Sequence, residues 1–187
     1  MTTRVTLISP VVTAALREAR FDDDVPPDES ALVAARAVAG DLPSAGRVLV
    51  SPSARCRATA AALGLAGTEE APDGWALGRW RGRTLAEVSA EEPDAVAAWL
   101  SDPDAAPHDA ESLRDLCARV GAWLDSLAAA TGRVVAVVEP EIVRACAVRA
   151  LGVPEPAFWR IDVPPLTATE FSGRSGRWNL TAGRPLA

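Results

Sequence analysis

The 187-residue chain contains no lysine and no tyrosine, a single histidine and a single methionine. Each absence removes a class of chemistry. Without lysine there is no Schiff-base nucleophile and no phosphate-loop lysine, and all 19 cationic side chains are arginines. With one histidine, His108, any mechanism that needs two imidazoles is out of reach. The three cysteines, Cys56, Cys117 and Cys146, are odd in number and lack the spacing of a zinc or redox motif, so they read as reduced thiols. No apolar run reaches the roughly 18 residues that span a bilayer, and positions 1–8 lack the apolar core of a signal peptide. A net charge of -6 leaves no basic surface for nucleic acid or an anionic membrane. The expectation is a soluble cytoplasmic protein without cofactor or metal. Its expected partner is a small-molecule ligand or substrate, and a homodimer is left open.

What is present is an ordinary globular composition, 49% hydrophobic and 24% charged, with six tryptophans. Its length suits one domain over residues 1–187. Short β-rich runs at 4–8 and 47–50 each stop at a Ser-Pro pair, Ser9-Pro10 and Ser51-Pro52. A continuous apolar run at 134–138 is that of a buried parallel strand and stops at Glu139-Pro140. Helices are expected over 11–20, from an Asp28 cap to about Gly40, from Pro52 to Leu63, over 84–90 and 93–100, from Glu111 to near Gly132, and from Pro140 to Leu151 with Gly152 beyond. Loops are expected at Asp22-Asp23-Asp24 and over 101–110. A closing hairpin is expected from 161–171 and 177–180, joined across Ser175. Alternating strands and helices predict an α/β domain, a three-layer sandwich with a mostly parallel central sheet. In such sheets the ligand crevice lies at the carboxyl ends of the strands, which places Ser9, Ser51 and Glu139 at its rim.

The order of motifs resembles one family. Ser51-Pro52-Ser53-Ala54-Arg55-Cys56-Arg57-Ala58-Thr59-Ala60 is similar to the SPxxRAxxTA stretch of histidine phosphatases, the phosphoglycerate-mutase-like superfamily. Leu77-Gly78-Arg79-Trp80-Arg81-Gly82-Arg83-Thr84 resembles its DLGxWEGxT segment, and 106–112, Ala-Pro-His-Asp-Ala-Glu-Ser, its PxGGES segment. The 134–152 strand and helix, with Phe158-Trp159-Arg160, resemble its last unit. The resemblance implies the family's fold, with Arg55 in the phosphate-binding position.

It also implies where chemistry is missing. The family's first strand ends in Arg-His-Gly, whose histidine is phosphorylated; here Ser9-Pro10-Val11 stand there. Counting back from Arg144 puts Glu139 at the second histidine, and the expected acid falls on Gly74. Arg81 replaces the glutamate of WEG. Phosphohistidine chemistry is therefore excluded on this reading, since proline offers no nucleophile and Glu139 would repel an anion. Glu139 becomes the candidate acid/base, joined by Glu141, which otherwise reads as a helix-terminus charge. Candidate ligand-binding residues are Arg55, Ser9, Ser51, Arg81, Trp75 and His108, although His108 reads as part of a solvated loop and Trp75 as core.

Two functions stay open: a repurposed cofactor-independent acid/base enzyme of lyase, isomerase or cyclase type acting on a non-phosphorylated metabolite, or an inactive pseudophosphatase that binds a ligand or protein. The arginine- and alanine-rich composition resembles that of high-GC actinobacteria, where secondary metabolism is one setting for such a chain.

Overall fold

Four parallel strands and an antiparallel pair make one six-stranded sheet in the order β3-β2-β4-β1-β5-β6. The computed structural model describes residues 2–21, 24–67, 69–129, 132–174 and 176–185. The sheet consists of β1 (Thr3–Ile8), β2 (Arg47–Val50), β3 (Glu69–Glu70), β4 (Gly132–Val137), β5 (Thr167–Arg174) and β6 (Arg177–Pro185). β4 lies between β1 and β2, parallel to both, with Ile8 and Val50 each opposite Val137. That register brings the carboxyl ends of three strands level, so the residues after them share one edge of the sheet.

Alternation along the central strands feeds two cores. Val5, Leu7, Val134 and Ala136 pack with Leu116, Leu124 and Ile142 of α6 (Leu113–Leu127) and α7 (Pro140–Leu151). The opposite face, Ile8, Val135 and Val137, packs with Ala35 of α2 (Glu29–Ala37) and Cys56 and Ala60 of α3 (Ala54–Ala62). Helices on both faces of a mostly parallel sheet give the three layers that the alternating pattern predicts. A third, aromatic core lies outside the sheet. Phe21, Trp80 and Trp99 meet there, with ring centroids 5.5 to 5.8 Å apart, over α4 (Leu85–Glu91) and α5 (Pro93–Ser101). Among the described residues no helix is long and apolar enough to cross a membrane.

Several local expectations are corrected. The helix expected over 11–20 is one turn, α1 (Ala14–Arg17), capped by Thr13 and ended by Ala19 at positive φ; Arg20 then pairs with Thr84 as a bridge. Asp28 does stand at the N-cap of α2, but its side chain makes no capping bond, and α2 ends at Ala37. Ser53 caps α3, its hydroxyl accepting from the Cys56 N–H. Gly132 opens β4 instead of closing α6. β3 was not foreseen, because two glutamates carry no strand signal until the edge of β2 recruits them. Residues 161–166 precede β5 instead of belonging to it, and β6 runs on to Pro185. Gly152 ends α7 at φ 62°, as its helix-stop position requires. The loop at Asp22 and Asp23, and Ser175 of the hairpin, lie outside the described residues.

Candidate functional site

The cleft lies where the strand ends predict it, and its floor is an ion pair. Arg55, on the first turn of α3, meets Glu139, the N-cap of α7, through two parallel contacts. Nε donates to Oε1 at 3.0 Å and a terminal nitrogen donates to Oε2. Glu139 is 2% exposed and Arg55 8%. The Ser53 hydroxyl also donates to Oε1, at 2.6 Å, and the Cys56 thiol lies 3.5 Å from the same oxygen. Burial beside Glu139 pushes the Cys56 thiol far up, so it stays a thiol. Glu139 thus has both oxygens engaged, at a helix start whose dipole also favours its charge.

Glu141 is placed differently. In the first turn of α7, it accepts from the Trp75 N–H at 3.1 Å and forms no ion pair among the described residues. Burial, and next the negative charge of Glu139, raise its pKa above the ordinary carboxylate value, against the pull of Arg55. Of the two carboxyls at this strand end, Glu141 is the one whose surroundings favour the protonated form. Glu139, the first acid/base candidate from sequence, is committed through both oxygens to buried Arg55.

Gly74 completes the floor. A Cβ there would stand 2.9 Å from Glu141 Oε1 and 3.2 Å from Glu139 Cγ. The position where the resemblance expects an acid thus stands against the two glutamates, and a side chain there would have to displace them. Arg119 holds this segment, donating to the carbonyls of Asp73 and Gly74 while Glu111 grips it at 2.7 and 2.9 Å.

The cleft has two lobes that share Trp75 and Leu77. One, open and polar, is bounded by Asp24, Pro52, Ser53, Gly74, Arg81 and Glu139. The other is aromatic, bounded by Phe21, Trp99, Phe158 and Trp159, with Arg55, Glu141 and Arg144 along it. Exposed Arg81 lines the first lobe and has no ion pair among the described residues. Half-buried Trp75 forms the wall between the lobes, and its indole N–H is spent on the Glu111 carbonyl at 2.8 Å.

Three sequence candidates lie elsewhere. Ser9 is fully buried, and its hydroxyl donates to the Pro164 carbonyl at 2.6 Å and accepts from the Thr167 N–H at 3.0 Å. It fastens the end of β1 to the start of β5. Ser51 is equally buried and donates to the Pro72 carbonyl at 2.5 Å, tying the end of β2 to the segment before Gly74. Being adjacent to a strand end does not turn these small hydroxyls into the crevice, because the loops that close over it consume them.

His108 is the larger correction. The surrounding loop does not solvate it. It is 0% exposed, 5.3 Å from Trp80 and 6.4 Å from Trp75 between ring centroids, and neither ring nitrogen has a partner among the described residues. Burial, then the nearby Arg79 charge, lowers its pKa. Its carbonyl accepts from Arg79 N at 3.1 Å, and Gly78 packs so close that a Cβ would reach that oxygen at 2.0 Å. It is thus a neutral packing residue behind the aromatic wall.

Sequence reading passed over Ser53, Arg119 and Arg144. Ser53 was within the quoted motif, and its place beside Pro52 at a strand end was the available signal. Nothing in the sequence distinguishes Arg119 from the other arginines, and Arg144 served there only as the landmark that placed Glu139. Among the described residues no three metal-ligating side chains gather.

Comparison with known proteins follows the same geometry. Residues 13–183 match the model of the histidine phosphatase superfamily, branch 1. A structure described as a mycobacterial hydrolase superposes with a TM-score of 0.85 at 24% identity, covering 97% of this chain and 98% of that one. A mycobacterial glucosyl-3-phosphoglycerate phosphatase in complex with VO3 gives 0.82 at 26% identity, covering 95% and 96%. A phosphoserine phosphatase from Entamoeba histolytica in complex with 3-phosphoglyceric acid gives 0.84 at 18%, covering 97% and 96%. A comparison with curated protein sequences found no match.

Proposed function

The chain belongs to the histidine phosphatase superfamily, and from that premise we propose that it is a member without phosphatase chemistry, its former phosphate cleft now holding and transforming a small non-phosphorylated molecule with Glu141 as the proton-carrying group. The observation that carries this reading is the closed pair of Arg55 and Glu139. A phosphoryl group needs unopposed cations around its oxygens. Here the arginine in the phosphate-binding position is already neutralised by a buried carboxylate. A dianion arriving beside Glu139 and Glu141 would meet one or two like charges within a few Å, in a partly desolvated site where repulsion is strong.

Two of the neighbouring structures are phosphatases, and the family resemblance implies a reaction through an imidazole. In this chain Pro10 follows the first strand, Glu139 follows β4, and the sole imidazole, His108, is sealed behind Trp75 and Trp80. What the cleft retains is a carboxyl whose pKa burial raises above the ordinary carboxylate value, beside an aromatic lobe, the kind of group that can serve as acid or base. No covalent step through a nucleophile is required of it.

A second reading, a cleft that binds without turnover, is favoured by the full engagement of Glu139, which leaves one free acid/base group where such reactions usually employ two. Metabolite extract incubated with wild type and with Glu141→Gln, compared by mass spectrometry, separates the readings. A metabolite consumed by wild type and spared by the variant is the expected result, with general acid–base participation worth roughly 10²–10⁴-fold. Equal retention of one metabolite by both forms, without conversion, would establish the binding module. Hydrolysis of phosphate esters that is lost on changing Arg55 would overturn both.

A further inference from the structure

The aromatic lobe contains a second arginine whose situation is the reverse of Arg55's. Arg144, on α7, donates from Nε to the Ile161 carbonyl at 2.8 Å, and its guanidinium carbon stands 5.5 Å from the Phe158 ring centroid. Among the described residues it has no acidic partner, and its two terminal nitrogens make no hydrogen bond. The one bond it makes, together with the ring beneath it, fixes the plane of the guanidinium. The fork it presents is the one that matches a carboxylate through two parallel N–H bonds.

The walls define the rest of the ligand. Trp75 and Trp99 lie 5.3 Å apart, Trp99 and Trp159 4.8 Å, and Trp159 and Phe158 5.2 Å between centroids, a contiguous cluster in which the last two pairs meet edge to face. The Trp99 indole N–H in that wall has no partner among the described residues. The lobe encloses about 170 Å³. An apolar cavity of about 150 Å³ takes one benzene ring. The space between these rings suits one six-membered ring with a short polar arm.

We propose that this lobe binds a small monocyclic aromatic carboxylic acid, its ring against Trp75, Trp99 and Trp159 and its carboxylate in the fork of Arg144. The inference rests on the reading of the cleft as a site for a non-phosphorylated molecule and names its chemical class. A single negative charge fits the local balance: Arg144 supplies one unopposed cation, while Arg55 is already matched by Glu139. Glu141, in the same lobe and prone to keep its proton, can donate to the ligand carboxylate instead of repelling it.

Calorimetric titration of the full chain with phenylacetate, benzyl alcohol, acetate and phenyl phosphate tests this. Phenylacetate should saturate one site, with benzyl alcohol and acetate each weaker by about tenfold or more, the difference expected for losing a charge-assisted pair or the ring burial. Arg144→Gln, with its melting temperature checked, should weaken phenylacetate by at least the same factor, and Arg144→Lys by less. Trp159→Leu should weaken phenylacetate while leaving acetate unchanged, a readout that stands even if the arginine variants fold poorly. Equal binding of benzyl alcohol and phenylacetate, unchanged affinity in a folded Arg144→Gln, or no binding of phenylacetate or benzoate at millimolar concentration would overturn the proposal. Tight binding and hydrolysis of phenyl phosphate would instead overturn the non-phosphatase reading beneath it. Absence of both phenylacetate and phenyl phosphate binding removes only the aromatic-acid class.

Discussion

Arg55 and Glu139, 84 positions apart, close on each other at the centre of the cleft, and each is nearly removed from solvent. Two desolvated charges in this geometry depend on each other more than they stabilise the fold. Removing one partner leaves the other buried and uncompensated. Glu139→Gln or Arg55→Met should therefore each lower stability by about 3–5 kcal/mol, measured by urea unfolding. The double variant Arg55→Met with Glu139→Leu should regain most of that loss, because an apolar pair needs no compensation. A double variant as unstable as the sum of the single ones would show that the pair does not act as a unit.

The same pair dictates the response to phosphate. Purified protein should not hydrolyse p-nitrophenyl phosphate above background, should take up no label as phosphohistidine, and should show no change in melting temperature with millimolar inorganic phosphate or vanadate. A phosphate-dependent rise in melting temperature that disappears in Arg55→Met would mean that Arg55 leaves Glu139 for a ligand.

His108 makes stability fall with acid. Its folded-state pKa is depressed by burial, so the unfolded chain binds this proton more readily than the folded one. The stability it allows is present above the unfolded histidine value, near 6.5, and declines as pH falls below it. His108→Phe keeps an aromatic ring against Trp75 and Trp80 but cannot titrate. Between pH 7 and 5 its unfolding free energy should fall less steeply than wild type's, read from denaturant melts at several pH values.

Glu141 works with the opposite sign. Its folded-state pKa is raised, so the folded chain holds this proton more tightly than the unfolded one. Its carboxyl costs nothing below the unfolded value of 4.5, and stability is lost as pH rises from there through the folded pKa. Glu141→Gln should thus be more stable than wild type at pH 8, with the advantage shrinking toward pH 4. An unchanged difference across that range would mean that the carboxyl is not the titrating group.

Gly78 carries a backbone demand. It has φ +47°, and a Cβ would meet the His108 carbonyl at 2.0 Å. Gly78→Ala should cost about 1–2 kcal/mol for the left-handed conformation and a further 1–3 kcal/mol for the overlap. Gly74→Ala, which meets only the movable end of Glu141 and the Glu139 stem, should cost less. Its clearest effect should fall on the pH dependence of stability that Glu141 governs.

Much of this protein is legible without coordinates. Three parallel strands and their Ser-Pro or Glu-Pro stops follow from β-rich runs and the missing donor of proline, and α6 and α7 follow from apolar spacing and Gly152. The strand ends locate the crevice because a parallel sheet leaves its loops there, and motif order puts Arg55 and Glu139 within it. Local signals end at that point. Whether a hydroxyl at a strand end faces the cleft or the neighbouring loop depends on residues more than 150 positions away, as Ser9 and Pro164 show. His108, polar and flanked by proline and aspartate, is internal only because one earlier segment, carrying Trp75, Gly78 and Trp80, packs against it. The tertiary structure also decided that Glu139 is the matched charge and Glu141 the protonatable one. Two glutamates two positions apart have the same intrinsic acidity; the fold sets Arg55 directly on one, while burial and the neighbouring charge of Glu139 act on the other.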